Sequence, residues 1–324
     1  MDHFLASNKW TLGLGAFLVL LLLATKFIRP DFGVAGLDSI SRAALPFALA
    51  TVGMAIVVIA GGIDLSIAAM MAVASVTAAV LMKGASGDQS FLIVLFVLVI
   101  GIAMGAINGG LIVITRVPDI VVTLAMLFVW QGVALLILNA PGGGASLWLR
   151  ELIVGGVNLP GVPSAATEWL PKSAVFLFAC VIAVWIPIRR SKLGLMIYGV
   201  GSDATAAFRS GVPVGMVRVA AYAITGFFAS LGGIALTMST GIGEPIPGPY
   251  LLASVAAVVL GGVVLGGGRG GVMGPILAVF ALRLVRLDLT LLSVDPNVTT
   301  IVEGVIMVGV VMLGGVIMMK ESKA

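Results

Sequence analysis

The polar side chains that interrupt long apolar stretches are the residues of this sequence best suited to chemistry. Asp64 and Ser66 follow the pair Gly61-Gly62 between two apolar runs, with no polar loop between them. Such a join is typical of a broken helix or a tight re-entrant turn, because a bilayer tolerates irregular backbone only where protein or a water-filled cavity surrounds it. Two roles remain open for Asp64 and Ser66. They either cap the helix that follows or line and gate the path of a solute.

Neutral hydrogen-bonding groups and an aromatic ring recur further along the apolar sequence. These residues are Asn108, Thr123, Phe128 and Gln131. Amides, hydroxyls and an aromatic face suit a hydroxyl-rich neutral solute better than an ion, so these side chains are candidates for a translocation path. The alternative is that they only link neighbouring helices by hydrogen bonds.

Glu303 is a further carboxylate near the start of the last apolar segment. It has two candidate roles, an ion pair with Arg283 or Arg286 of the preceding segment, or contact with a solute. The ion pair is the preferred interpretation.

The residue types argue against enzymatic chemistry. The only histidine is His3, in the N-terminal tail, and the only cysteine is Cys180, inside an apolar run. This inventory excludes a disulfide framework and a Cys/His metal cluster, and it argues against His-dependent catalysis. No lysine follows a glycine, so the chain lacks the Gly-Lys pair of a phosphate-binding loop and ATP chemistry must come from a partner.

The composition shows which elements must position these side chains. Of 324 residues, 60% are apolar and only 10% are charged, which excludes an ordinary soluble domain. The net charge of +4 is spread over the ends of apolar runs, which argues against nucleic-acid binding. The sequence predicts an all-α integral membrane protein, with a single transmembrane domain over residues 1–324. About ten segments have the length and character of a membrane span: 10–28, 43–62, 65–82, 91–115, 118–139, 173–188, 216–240, 249–266, 271–287 and 298–319.

Lysine and arginine set the orientation of these spans. The strongest basic cluster lies within 189–218, which predicts that this connection is cytoplasmic. Alternation from there puts both termini in the cytoplasm. It also puts the longest connection, 140–172, outside as a Gly- and Pro-rich loop with one short helix around 146–154.

Residues 199–214 form a distinctive part of the cytoplasmic connection. Ser202 or Asp203 is a candidate N-cap, 204–210 favours a helix, and Gly211 ends it. Such a short rigid helix can fit a groove on a partner and transmit its movement, although a plain surface connector is the alternative. The predicted docking residues are Ser202, Asp203, Ala206, Ala207, Phe208, Arg209, Ser210 and Gly211, with Phe208 and Arg209 pointing outward.

Small residues indicate where helices pack closely. Gly101, Gly105 and Gly109 recur every four residues on one helix face, and Gly226 with Ser230 repeats the pattern in a later span. Such rows let two helix backbones approach each other inside a membrane.

Four motifs, in this order, resemble the permease subunits of bacterial monosaccharide ABC importers of the ribose, xylose, arabinose and galactose type. They are AGGIDLS at 60–66, VPDIVVTL at 117–124, the segment 201–212, and ASVAAVVLGG at 253–262 followed by GRG at 268–270. The resemblance extends from about residue 40 to 319. Two carboxylates depart from the family pattern, which usually has Asn where Asp203 stands and Pro where Asp119 stands.

The resemblance implies a non-enzymatic transport subunit of the bacterial inner membrane, with a broken helix near Gly61 to Asp64 and a coupling helix at 201–212. Its partners would be a cytoplasmic ATP-binding cassette ATPase, a periplasmic sugar-binding protein, and a second copy of the chain or a sister permease. ATP and Mg would bind to the ATPase, and this chain itself would hold no cofactor and no metal.

Two alternatives stay open besides a sugar importer. Related permeases carry autoinducers or other small polar solutes. A self-sufficient secondary carrier would need an intramembrane carboxylate that binds a proton or cation, and Asp64 or Glu303 would be the candidates.

Overall fold

Helices make up most of this protein, whose structure, a computed structural model, describes residues 9–158, 161–163, 167–246, 248 and 250–321. Over those residues no strand is present, and the β-type pairing consists of two isolated bridges, Gly142 with Gly243 and Gly156 with Pro171. The prediction of an all-α protein is confirmed for this part of the chain. His3 lies outside it. The helices are α1 (Lys9–Ile28), α2 (Val34–Ile59), α3 (Ile67–Met82), α4 (Gly87–Thr115), α5 (Asp119–Ile137), α6 (Leu147–Glu151), α7 (Lys172–Arg190), α8 (Lys192–Ser202), α9 (Ala204–Arg209), α10 (Val214–Thr240), α11 (Tyr250–Leu260), α12 (Met273–Leu291) and α13 (Pro296–Glu321).

Six helices in the described part of the chain are long and apolar enough to cross a membrane, namely α1, α2, α4, α5, α7 and α10. Each coincides with a predicted span. The other predicted spans are not confirmed in this way. α3 and α11 have 16 and 11 residues, which gives about 24 and 17 Å, less than the ~30 Å of a bilayer core. α12 is long enough but carries Arg283, Arg286 and Asp288, and the side chains of α13 are described only in part.

α2 begins at Val34, well before the predicted start at residue 43. Its first turns contain charged residues that the apolar pattern could not include. The Arg42 guanidinium pairs with the Asp38 carboxylate at 2.9 Å, one helical turn away. Asp38 Oδ1 also accepts a hydrogen bond from the Gly155 N–H at 3.0 Å. Because both charges have partners, the helix continues through polar sequence.

The core surrounds α2 and α10. In its most apolar stretch α2 is 89% buried, whereas α1 is only 11% buried and lies at the periphery. α10 packs against α2, α3 and α4, and α12 packs against α1 and α2. The two central helices therefore support most of the others.

The predicted row of small residues on α4 lies directly against α10. A Cβ added at Gly101 would meet the Gly226 carbonyl, and one added at Gly105 would overlap the backbone of Tyr222. One added at Gly109 would lie 2.8 Å from the Val219 Cα. The prediction that these glycines allow a close helix contact is confirmed.

Two pairs of consecutive helices are separated by glycine-rich turns within the bundle. The α2–α3 turn covers residues 60–66, and Gly61 adopts φ +82° there. The α11–α12 turn covers residues 261–272. The Gly268 N–H of the second turn donates to the Ile59 carbonyl at the end of α2, at 2.8 Å. The helix break expected near Gly61 and Asp64 is present, and a second break lies beside it.

The 140–172 loop contains the expected short helix, α6. Its first residues attach to two helix ends. The Gly144 N–H donates to the Ala79 carbonyl of α3 at 2.9 Å, and the Ala145 N–H donates to the Gly241 carbonyl after α10 at 3.1 Å. The C-terminal ends of α3 and α10 therefore lie on the same side of the bundle, under this loop.

Candidate translocation path and coupling segment

The α2–α3 turn holds a buried carboxylate. Asp64 and Ser66 are both fully buried. One oxygen of Asp64, Oδ1, accepts hydrogen bonds from the Ser66 backbone N–H at 2.9 Å and from the Ser66 hydroxyl at 2.6 Å. The other oxygen, Oδ2, is buried with no hydrogen-bond partner among the described residues. Asp64 thus closes the turn while keeping one acceptor free inside the protein.

A chain of hydrogen bonds connects this turn to α4 and α5. The Trp130 indole N–H donates to Asn108 Oδ1 at 3.1 Å, and Asn108 Nδ2 donates to Ser66 Oγ at 2.7 Å. Because Ser66 Oγ accepts from Asn108, its own hydrogen is free to point at Asp64. Groups from α4, α5 and the turn therefore share one network, and the loss of one member leaves its neighbours unpaired.

Thr123 and Tyr222 hold the other side of the turn. The Thr123 hydroxyl accepts from the Leu65 N–H at 3.1 Å and donates to the Asp119 carbonyl of its own helix at 2.8 Å. The Tyr222 hydroxyl of α10 donates to Asp119 Oδ2 at 3.1 Å. A Cβ at Gly62 would lie 2.7 Å from both Asp119 Oδ2 and the Tyr222 hydroxyl, so the turn approaches this closely only with glycine there.

The structure brings four of the six predicted path residues together. We call this group the turn cluster. It consists of Asp64, Ser66, Asn108 and Thr123, together with Trp130, which donates to Asn108. Phe128 and Gln131 lie apart from it. The Phe128 ring is 69% exposed on the outside of the chain, and the Gln131 side-chain amide donates to the Pro245 carbonyl. Their role in a path stays a prediction.

The N-cap of α9 is Asp203, which resolves the choice that the sequence left open. Asp203 Oδ1 accepts hydrogen bonds from the Thr205 and Ala206 N–H groups at 2.8 and 2.9 Å. The Ser202 hydroxyl instead donates back to a carbonyl of α8. Two backbone N–H groups at the start of α9, which have no partner within the helix, are thereby hydrogen-bonded. This cap stabilises a helix of only six residues.

α9 presents one face to solvent and one to the bundle. The Phe208 ring is 69% exposed, and Arg209 and Ser210 are exposed beside it. Ala207 is buried against the bundle. Gly211, with φ +83°, reverses the chain directly after the helix. The outward position predicted for Phe208 and Arg209 is confirmed.

Three segments of backbone meet where α8 ends, at a contact called the glycine junction below. A Cβ added at Gly61 would lie 3.5 Å from the Gly201 Cα, and one added at Gly267 would lie 2.6 Å from the Gly201 carbonyl oxygen. One added at Gly201 would overlap the Ile59 carbonyl oxygen. The segment that carries α9 therefore touches the α2–α3 and α11–α12 turns through main-chain atoms, with no flexible side chain between them.

The ion pair predicted for Glu303 is present. Arg286 Nε and Nη2 donate to the two Glu303 carboxylate oxygens at 2.8 and 3.2 Å. This two-point contact joins α12 to α13.

The family profile described as "Branched-chain amino acid transport system / permease component" matches residues 36–311. That stretch includes the turn cluster, the glycine junction and α9. The chain belongs to this permease family. The resemblance to permease subunits of ABC importers is confirmed with it, and so is a multi-pass location in the inner membrane.

The permease is similar to curated relatives over nearly its whole length. Autoinducer 2 import system permease protein LsrD of Escherichia coli (strain K12) is 27% identical over 318 residues, which cover 93% of this chain and 91% of that protein. The LsrD proteins of Shigella flexneri and Escherichia coli O157:H7 show the same identity and coverage. No solved structure matches the permease.

Sequence reasoning did not assign Tyr222 or Trp130 to the site of this permease, although both hold it together. Tyr222 lies in the same predicted span as the small residues Gly226 and Ser230, and nothing in the sequence near Trp130 identifies Asn108 as its acceptor. Asp119 and Asp203, the two departures from the family pattern, both have partners within the chain. Each carboxylate therefore has a structural function here.

Proposed function

We propose that this permease forms the translocation path of an ABC importer whose cargo is a small hydroxyl-rich solute, a monosaccharide or a compound of the autoinducer 2 kind. Family membership supports the transport role. The LsrD relatives are named for autoinducer 2 import, which supports the solute class. So does the turn cluster, whose amide and hydroxyl groups match neutral hydroxylated molecules.

The glycine junction is the observation that carries the mechanism. α9 exposes Phe208 and Arg209 for docking, and α8 joins it through Gly201 to the turn that bears Asp64. A shift of the docked α9 would displace this turn and reorganise the hydrogen bonds from Asp64 to Trp130. The turn cluster, fully buried at Asp64, Ser66, Asn108 and Thr123, then acts as the closed state of an inner gate.

The topology of the proposal has about ten membrane segments, both termini in the cytoplasm, and 140–172 as a periplasmic loop. α3 and α11 would cross the bilayer together with their adjoining turns, which are buried in protein as irregular backbone in a membrane must be. The basic residues Arg189, Arg190 and Lys192 flank the segment that carries α9, in agreement with a cytoplasmic position.

The partners in the proposal are those of an importer of this family. A cytoplasmic ATPase with bound ATP and Mg would receive α9, and a periplasmic receptor would deliver the solute. A second permease, either another copy or a sister chain, would complete the pore. The permease itself would contribute no bound cofactor and no catalytic residue.

The test begins with the tagged permease purified from native membranes in mild detergent, and its stoichiometric companions identified by mass spectrometry. We expect an ATPase with a Gly-Lys-Ser/Thr phosphate loop. Vesicles containing the complex should take up solute only with ATP and Mg on the cytoplasmic side.

A contrary result would favour a secondary carrier. A permease that is repeatedly isolated alone, and that transports under a proton gradient without ATP, would refute the proposal. The unpartnered Asp64 Oδ2 is the observation that favours this second function, since a buried free acceptor can bind a proton or cation.

A further inference from the structure

A second polar feature of this permease lies far from the turn cluster. It is a cavity of about 340 Å³ lined by residues of α2, α10, α11, α12 and α13 and by the segment after α10. Its charged lining residues are Glu244, Arg283, Arg286 and Glu303, and Phe47, Thr240, Tyr250 and Ala253 also line it. We refer to it as the outer cavity.

The position of the outer cavity follows from α10. This helix has 27 residues, a length of about 40 Å. It begins at Val214 directly after the α9 segment and ends at Thr240 on the cavity wall. The cavity therefore lies on the face of the bundle opposite α9, beside the 140–172 loop. In an importer, this is the face that receives the solute.

Two of the charged groups in the cavity wall, Arg283 and Glu244, have no ion-pair partner among the described residues. Arg283 lies with its guanidinium carbon 5.3 Å from the Phe47 ring centroid and 6.0 Å from that of Tyr250, and its buried Nε has no hydrogen-bond partner in the described part of the chain. The Glu244 backbone N–H donates to Ser75 at 3.1 Å, but its carboxylate accepts no hydrogen bond from the described residues. By contrast, the other two charges of the wall, Arg286 and Glu303, satisfy each other.

We propose that the outer cavity binds a neutral polyhydroxylated solute, with Glu244 accepting and Arg283 donating hydrogen bonds to its hydroxyl groups. This inference rests on the proposed function and locates the first resting place of the imported molecule.

The charges of the wall decide between a neutral and an ionic ligand. Arg283 and Arg286 balance Glu244 and Glu303, so the site as a whole has no net charge to attract an anion or a cation. A hydroxyl group both donates and accepts, and adjacent hydroxyls on one ring match a carboxylate and a guanidinium together. Leu236, Ala253 and Leu282 add an apolar wall for the C–H face of a sugar. The volume lies at the lower end of the range of ~300–1,000 Å³ for small-molecule sites.

Site-directed thiol protection tests this binding on the assembled transporter in vesicles. The only cysteine is removed by Cys180→Ser, and Ala253→Cys places a thiol on the cavity wall. A water-soluble methanethiosulfonate is added outside, with and without D-ribose, D-xylose, D-galactose or autoinducer 2. We expect at least one of these compounds to slow modification about fivefold or more. Leu152→Cys, exposed in the outer loop, is the matched control whose modification rate should not change.

Two variants then test the recognising groups. Glu244→Gln and Arg283→Gln, each in the Ala253→Cys background, should raise the protecting concentration about tenfold. The rate at Leu152→Cys should stay unchanged in both, and the thermal stability of the complex should stay unchanged in Glu244→Gln. Thr240→Ala, a milder change on the same wall, should raise the protecting concentration less. Protection that persists unchanged in both Gln variants would overturn the assignment of these groups.

The experiments distinguish a failure of the outer cavity as a solute site from a failure of the importer proposal. No protection by any of the four compounds, or an Ala253→Cys thiol that never reacts while Leu152→Cys does, overturns the outer cavity as a solute site. ATP-driven uptake by the same vesicles would then leave the importer proposal standing. Protection without ATP-driven uptake would support the cavity and count against the importer.

Discussion

Adding one methyl group at Gly201 should disrupt coupling in this permease, whereas the same change at Gly199 should not. Both glycines lie on α8. A Cβ at Gly201 would overlap the Ile59 carbonyl oxygen and lie 2.6 Å from the Gly268 nitrogen, whereas a Cβ at Gly199 has nothing within 4 Å. The pair of variants therefore compares identical chemistry on one helix, with and without the contact at the glycine junction.

The expected magnitude follows from three contributions. Carbon normally approaches a carbonyl oxygen to about 3.3–3.6 Å, so the junction must open, and overpacking of this kind costs about 1–3 kcal/mol. Loss of the Gly268 to Ile59 hydrogen bond costs about 1 kcal/mol more. Alanine gains about 1 kcal/mol over glycine in a helix. The net destabilisation for Gly201→Ala is about 1–3 kcal/mol, while Gly199→Ala should be neutral or slightly stabilising.

Thermal unfolding of the purified complex and ATP-driven uptake into vesicles measure the two consequences. At roughly 2–4 °C per kcal/mol, the melting temperature of Gly201→Ala should lie several degrees below that of Gly199→Ala. Its uptake should fall by more than its abundance in the membrane. Equal melting temperatures together with equal uptake for the two variants would refute the claim that the junction is tightly packed and transmits movement.

Three further changes test other parts of the permease. Phe208→Glu should abolish ATP-driven uptake at unchanged membrane abundance, because a charge on the docking face costs several kcal/mol of complementarity; Phe208→Leu should retain most uptake, and normal uptake of the Glu variant would contradict docking by α9. Asn108→Leu should lower the free energy of unfolding by about 2–4 kcal/mol in denaturant titrations, since Trp130 loses its acceptor in the interior, and an unchanged midpoint would contradict the network. Gly105→Leu should leave little folded protein in size-exclusion profiles, whereas Gly110→Leu on the same helix, which meets open space, should elute normally; similar profiles would contradict close packing of α4 on α10.

Local signals in the sequence predicted the features that depend on a few neighbouring residues. The position and length of α9, the break after Ile59 and the glycine face of α4 each follow from adjacent residues or from a period of four. The Arg286–Glu303 ion pair could be predicted because the two residues flank one short connection between helices.

Features that depend on distant parts of the chain could not be read in this way. The Tyr222 hydroxyl meets Asp119 across 103 positions of sequence, and the Trp130 indole meets Asn108 only because α4 and α5 fold back on each other. Apolar content also overestimated helix length near glycine. Residues 261–266 lie inside a predicted span, yet α11 ends at Leu260 because Gly262 adopts φ +80° and the α11–α12 turn bonds to the end of α2 instead.

α10 joins the two faces of the permease as a single rod, since its 27 residues run without interruption from the α9 segment to the outer cavity. A rod of about 40 Å that pivots near one end by roughly 5° moves its other end by about 3.5 Å. A displacement of that size is larger than the span of a hydrogen bond. A small rocking at the face that carries α9 is therefore sufficient to shift Thr240 relative to Glu244 and Arg283. The permease would then work as a lever that loosens its hold on the solute at one face when it is pushed at the other.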